Sequence, residues 1–210
     1  KNLYIPWEWK FKTDTMLYSE NDPDNKYTWS KTRSKESENF IVYWDKYYGN
    51  TIPTNASSTY KVDIDDLLKK AESFYALNGG KLAFGDESNS KVSKYKMMIL
   101  LNHTTEWICV GAGYDNTIGA LWLSPSTCKP VGHSVAHEVG HSFQYQCYCD
   151  LGGNAGFRGA IGTGSTFWEQ TAQWQANQSY PAEIWNQSWS IFRNTANYAT
   201  THEWMRYQSY

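Results

Sequence analysis

Val131-Gly132-His133-Ser134-Val135-Ala136-His137-Glu138-Val139-Gly140-His141-Ser142-Phe143-Gln144-Tyr145-Gln146 is the stretch on which the reading of this chain turns. It holds no proline. Pro130 just before it suits a first helical turn, where a missing N–H costs nothing. Val131, Val135, Val139 and Phe143 recur at four-residue steps, which marks one face of a helix. His137 and His141, also four apart, then stand one above the other beside that face. Two imidazoles so placed can reach one Zn²⁺ ion from adjacent turns. Glu138 points to the rim of the same face, where a carboxylate can take a proton from a water that the ion polarises. A core helix with two incidental histidines is the bland alternative. Against it, three of the chain's five histidines, His133, His137 and His141, fall on this face.

Catalytic zinc takes three protein ligands and keeps a position for water. One arrangement places a third histidine six residues after the second, past a helix-breaking glycine. Here Gln144 stands at the glycine and Cys147 at the histidine, which disfavours it. The other takes a glutamate from a second helix, and Thr166-Phe167-Trp168-Glu169-Gln170-Thr171-Ala172 fits. Ala172, one turn beyond Glu169, is small enough to let two helices approach. Thr166 and Glu169 also form a capping box, in which the glutamate serves only the helix N-terminus. Asp150 and Glu183 are the rival third ligands. Asp150 follows the first helix too closely to fold back, and Glu183, after Pro181, reads as an early-turn acid.

Around this centre the chain alternates short elements. Residues 1–36 are polar and aromatic, an irregular arm lying on the rest, and residues 37–210 form a single domain. Glu38 to Tyr47 has strand composition, with Phe40, Val42 and Trp44 on one face. Asp63 caps a helix running through Leu77, closed by Gly79-Gly80. Lys94 to Asn102 reads as a buried strand. Glu106 to Ala112 and Ile118 to Leu123 form a hairpin around Gly113-Tyr114-Asp115-Asn116. The order implies an α+β class, with helices packed on a twisted sheet whose edges are mostly antiparallel. Gly119-Ala120-Leu121-Trp122 is the candidate edge for an extended peptide, and an interior hairpin strand is the equal alternative. The six glycines between Gly152 and Gly164 make a turning loop that joins the two ligand helices.

With 210 residues the chain can bury one good core. Lys and Arg number 19 against 21 Asp and Glu, with no basic cluster, so a nucleic-acid partner is not expected. No apolar run has the length of a membrane span. Part of the 11 Trp and 16 Tyr belongs to the core and part, at so low a mean hydropathy, to the surface, where rings suit glycan or peptide recognition; a simply Trp-rich core is the equal alternative. Cys109, Cys128, Cys147 and Cys149 make an even set, which an exported protein can oxidise. A helix from Lys129 to Cys147 separates its ends by roughly 27 Å, and a disulfide spans under about 7 Å between Cα atoms. Cys128 therefore cannot bond Cys147 or Cys149, and Cys109–Cys128 stays open. The start at Lys1, with neither methionine nor a leader-like segment, reads as a mature or trimmed chain.

The pairing of His137-Glu138-Val139-Gly140-His141 with Phe167-Trp168-Glu169-Gln170-Thr171-Ala172 resembles the gluzincin group of zinc metallopeptidases. Ser37-Glu38-Asn39-Phe40-Ile41-Val42-Tyr43-Trp44, Ile118-Gly119-Ala120-Leu121-Trp122 and Ala136 to Gln146 look like uncharacterised secreted bacterial gluzincin-like domains, over about Trp29 to Pro181. The resemblance implies a zincin-like fold, a Zn²⁺ ion on His137, His141 and Glu169, Glu138 as general base, and a secreted, cell-surface or periplasmic address. It implies a protein, peptide or glycoprotein substrate. It also calls for a tyrosine or histidine donor to the oxyanion, for which Tyr198, His202 and Tyr207 are candidates, with His133 as an outsider. For such an enzyme the tail is short, as if truncated at the C-terminus. A different class stays in view, an aromatic-rich glycan- or protein-binding module on a peptidase scaffold without turnover. A zinc hydrolase acting on another bond is a third reading.

Overall fold

Two wholly apolar runs build the middle of the sheet, Phe40-Ile41-Val42-Tyr43-Trp44 as β2 (Phe40–Trp44) and Met97-Met98-Ile99-Leu100-Leu101 as β3 (Met97–Leu101). The computed structural model describes residues 29–84, 89–114, 116–152 and 165–183, with the backbone alone for 165–167. Every residue of both strands is buried. Such runs suit interior parallel strands covered on both faces, and β2 and β3 pair parallel, Val42 opposite Ile99. Ile41 and Tyr43 are therefore as buried as the predicted core face of Phe40, Val42 and Trp44.

The five strands lie in the order β1-β2-β3-β5-β4. β1 (Ser34–Glu36) runs antiparallel to β2, so the arm expected to be irregular ends in an edge strand. β4 (Cys109–Tyr114) and β5 (Ile118–Leu123) form the expected antiparallel hairpin, and β5 pairs parallel with β3. Both edge pairs are thus antiparallel and the inner pairs parallel. Gly119, Ala120, Leu121 and Trp122 lie on β5, bonded on both sides, and so do not form the expected free edge. The hairpin docks through its more apolar arm. Ile118, Ala120, Leu121 and Leu123 are fully buried, while Val110 on β4 is half exposed. The free edge beside the site is β4.

Among the described residues, three α-helices complete this α+β fold. Helix α1 (Ile64–Tyr75) is capped by the Asp63 carboxylate, which accepts the Asp65 and Asp66 amides at 3.1 and 3.0 Å. A π turn over Ala76–Lys81 follows it. Helix α2 (His133–Asp150) starts after Gly132, so Pro130 precedes the cap instead of sitting in the first turn. Helix α3 spans Ser165–Ser179. Among the described residues, no helix is long and apolar enough to cross a membrane.

Helix α2 is clasped from two sides, which fixes the direction its histidines face. On the sheet side, Gly119 N–H donates to Gln146 Oε1 at 2.9 Å, and Ser142 Oγ lies 2.9 Å from the Ala120 carbonyl. A Cβ at Gly111 would stand 1.9 Å from the Glu138 carbonyl oxygen, so β4 reaches the helix only as glycine. On the other side, a Cβ at Gly140 would stand 3.1 Å from Ala172 Cα. The small pair Gly140 and Ala172 brings α3 against α2. All four cysteines are free thiols.

Candidate metal centre

The i, i+4 spacing and the close packing of α3 bring three side chains to one point. Glu169 Oε2 lies 3.1 Å from His137 Nε2 and 3.3 Å from His141 Nε2. The two rings stand 4.6 Å apart, perpendicular to each other. Ligands at about 2.0–2.1 Å from a tetrahedral zinc would sit roughly 3.3 Å from one another. The donor set of two imidazoles and one carboxylate, at these separations, fits that ion. The Glu138 carboxylate lies within 4.8 Å of both imidazoles. It faces β4, where it accepts the Gly111 amide at 2.6 Å.

Each ring is also held from behind. His137 Nδ1 lies 3.0 Å from Gln173 Oε1, and His141 Nδ1 lies 2.8 Å from Gln144 Oε1. Gln144 Nε2 donates to the Trp168 carbonyl at 2.9 Å. The Trp168 ring stacks on His141 at 5.0 Å between centroids. His133, one turn before His137, lines the same cleft and contacts Asn177 Oδ1 at 2.9 Å.

The electrostatics separate the two glutamates. Burial alone would raise the Glu169 carboxyl, but hydrogen bonds and charge from His137 and His141 outweigh it and hold it at about 2. For Glu138 burial prevails over the nearby imidazoles and the Gly111 amide, and its carboxyl is raised. Burial opposes a charge on His141, yet Glu169, Glu138 and Gln144 together raise it. At His133 burial wins and the ring is pushed toward neutrality. Glu169 is thus held ionised while Glu138, beside the same histidines, is shifted toward its protonated form.

A cleft of about 460 Å³ opens over the centre. Cys109, Val110 and Gly111 of β4, with Trp107 just before it, form one wall, and Trp168 lines the cleft from α3. Of the residues singled out from sequence, His137, Glu138, His141, Glu169 and His133 meet here. Asp150 is held at the far end of α2 by Ser90, the Lys91 amide and Gln146. Glu183 does not line the cleft. Tyr198, His202 and Tyr207 lie outside the described residues, as do the Thr166 side chain and most of the glycine loop. Gln173, Gly111 and Trp107 were not singled out from sequence, and Gln144 was read only as standing where another ligand arrangement needs glycine, not as the partner of His141. Gln144 at i+3 from His141, and Gln173 at i+4 from Glu169, carried a helical signal that could have found them.

One protein-family model, DUF6055, described as a family of unknown function, matches residues 1–210. No curated protein and no solved structure matches the chain.

Proposed function

The chain belongs to the DUF6055 family, and we propose that it is an exported, zincin-like, zinc-dependent peptidase. Glu169 Oε2 lying 3.1 Å from His137 Nε2 and 3.3 Å from His141 Nε2 carries this reading. Zinc in that position would supply a water molecule acidified toward about pH 7. Glu138 is the base for that water. Its carboxylate is fixed by the Gly111 amide and raised by burial, toward the range where it can take a proton and return it to a leaving amine. Gly111 N–H points to Glu138 and not to β5, so alternate backbone groups of β4 face the cleft. An extended peptide can add there as a further strand, with Trp107 and Val110 beside it.

A binding module without turnover draws on one observation, the 64% exposure of Trp107 at the cleft. Its ring can stack on a sugar as readily as on a peptide side chain. One experiment separates the readings. Wild-type protein and His137→Ala are loaded with zinc, assayed for metal content, and incubated with a peptide and glycoprotein panel read by mass spectrometry. The proposal expects about one zinc and cleaved peptide bonds for wild type, and neither for the variant. Zinc-loaded wild type that binds substrate yet cleaves nothing refutes the peptidase.

A further inference from the structure

The amides behind the histidines determine where the imidazole protons are. Gln144 can be oriented in only one way. Its Nε2 faces the Trp168 carbonyl at 2.9 Å, and a carbonyl oxygen only accepts. Gln144 Oε1 must then face His141 Nδ1, at 2.8 Å. An amide oxygen cannot donate, so His141 carries its proton on Nδ1. In the neutral ring its Nε2 is then a bare lone pair 3.3 Å from Glu169 Oε2, and only the protonated ring donates to that carboxylate.

Gln173 does the same for His137 through a longer chain. Its Nε2 lies 3.3 Å from His133 Nε2, and its Oε1 lies 3.0 Å from His137 Nδ1. Asn177 Oδ1 sits 2.9 Å from that same His133 nitrogen, while Asn177 Nδ2 is buried without a partner. Turning this one amide over removes the conflict at His133 Nε2, since amide orientations are assigned from such networks, and puts an acceptor in place of a donor at the buried position without a partner. Asn177 Nδ2 and Gln173 Nε2 then share His133 Nε2 as acceptor, and Gln173 Oε1 accepts from His137 Nδ1. Donation then runs from His137 through Gln173 to His133, where the Asn177 amide converges on the same nitrogen.

We propose that Gln144 and Gln173 are positioning residues that hold the neutral rings of His141 and His137 in the Nδ1–H tautomer, so that two Nε2 lone pairs face Glu169 before any metal binds. Three acceptors turned on one another repel, and a cation between them removes the repulsion. Because the supporting groups are amides, they orient the rings without adding negative charge beside Glu138 and Glu169. Carboxylates in that place would also strengthen the imidazoles as ligands.

This inference rests on the metal reading above, and its test keeps the two apart. Long-range proton–nitrogen spectra of metal-free wild type, taken well above the histidine titration range, should show Nδ1–H for His137 and His141. An Nε2–H pattern for either one overturns the proposal whatever the metal does. Zinc is then titrated in competition with a chromophoric chelator. Gln144→Met and Gln173→Met should lose roughly 10–100-fold in affinity, and Gln173→Glu, which still accepts from Nδ1, should match or exceed wild type. Thermal melts of the metal-free variants show that they fold. If Gln144→Met does not, the Gln173 pair and the spectra decide. Wild type that takes up zinc with both Met variants unchanged overturns only this inference. Wild type that takes up no zinc overturns the metal reading, and the lone-pair presentation with it.

Discussion

The Gly111 amide donates to the Glu138 carboxylate at 2.6 Å, joining the free edge of the sheet to the middle of α2. This bond holds the carboxylate on the cleft side of the helix, about 100° around from His137. Glutamine can accept the same bond but cannot take a proton. Glu138→Gln should fold and keep zinc, and lose at least about a hundredfold in turnover on any substrate that wild type cleaves. Burial makes the wild-type charge costly, so the variant should also melt higher near neutral pH. Equal turnover, measured by product formation under matched zinc loading, removes Glu138 as the base.

Gly111→Ala tests the same junction sterically. The added Cβ would lie 1.9 Å from the Glu138 carbonyl oxygen, a backbone atom that cannot rotate away. The helix or the strand must move. The expected loss is about 2–3 kcal/mol of stability, read as a lower urea midpoint. A variant as stable as wild type would mean that β4 does not approach α2 so closely.

Acid and base should both weaken the metal-free protein. The Glu169 carboxyl sits at about 2 when folded, against 4.5 for its ordinary value. Its contribution is complete above about 4.5 and is lost as the pH falls toward 2. His141 is shifted the other way, above its ordinary 6.5. Its contribution is complete below about 6.5 and is lost as the pH rises through its folded value. These two groups together predict greatest metal-free stability between about pH 4.5 and 6.5, seen in urea midpoints after chelation. Glu169→Gln should flatten that profile, and an unchanged profile in the variant rejects the coupling.

Native thiol chemistry should single out one cysteine. Cys109, Cys128 and Cys149 are buried, and Cys147 is partly exposed. Burial pushes the Cys128 thiol up to about 12 and raises Cys109 as well. Native alkylation followed by peptide mapping should label Cys147 first, and unfolding without reductant should release the others. A bridge from Cys128 to Cys147 or Cys149 would contradict the continuous α2.

Local patterns were legible where periodicity or spacing carried them. His137, Glu138 and His141 declare a helix face by themselves, and Glu169 with Ala172 declares a second helix that can come close. Phe40 to Trp44 and Met97 to Leu101 declare strands. The free edge was not legible, because strand order depends on pairings far apart in the chain. Leu121 and Trp122 fit an edge or an interior equally well until β3 is seen beside them. The start of α2 shifted because Gly132 makes the cap. Reading Gln144 only as the residue in place of a helix-breaking glycine overlooks what its amide does for His141.

The interior place of β5 has a kinetic side. β4 and β5 meet across a short turn, so their pairing closes little chain and can form early. Joining β3 is the more distant event, and it seats β4 at the rim only because β5 carries it there. This topology lets the wall of the cleft arrive as a preassembled hairpin. Sequence changes in the turn would act on how fast this wall arrives, and changes in the β3–β5 seam on how long it stays.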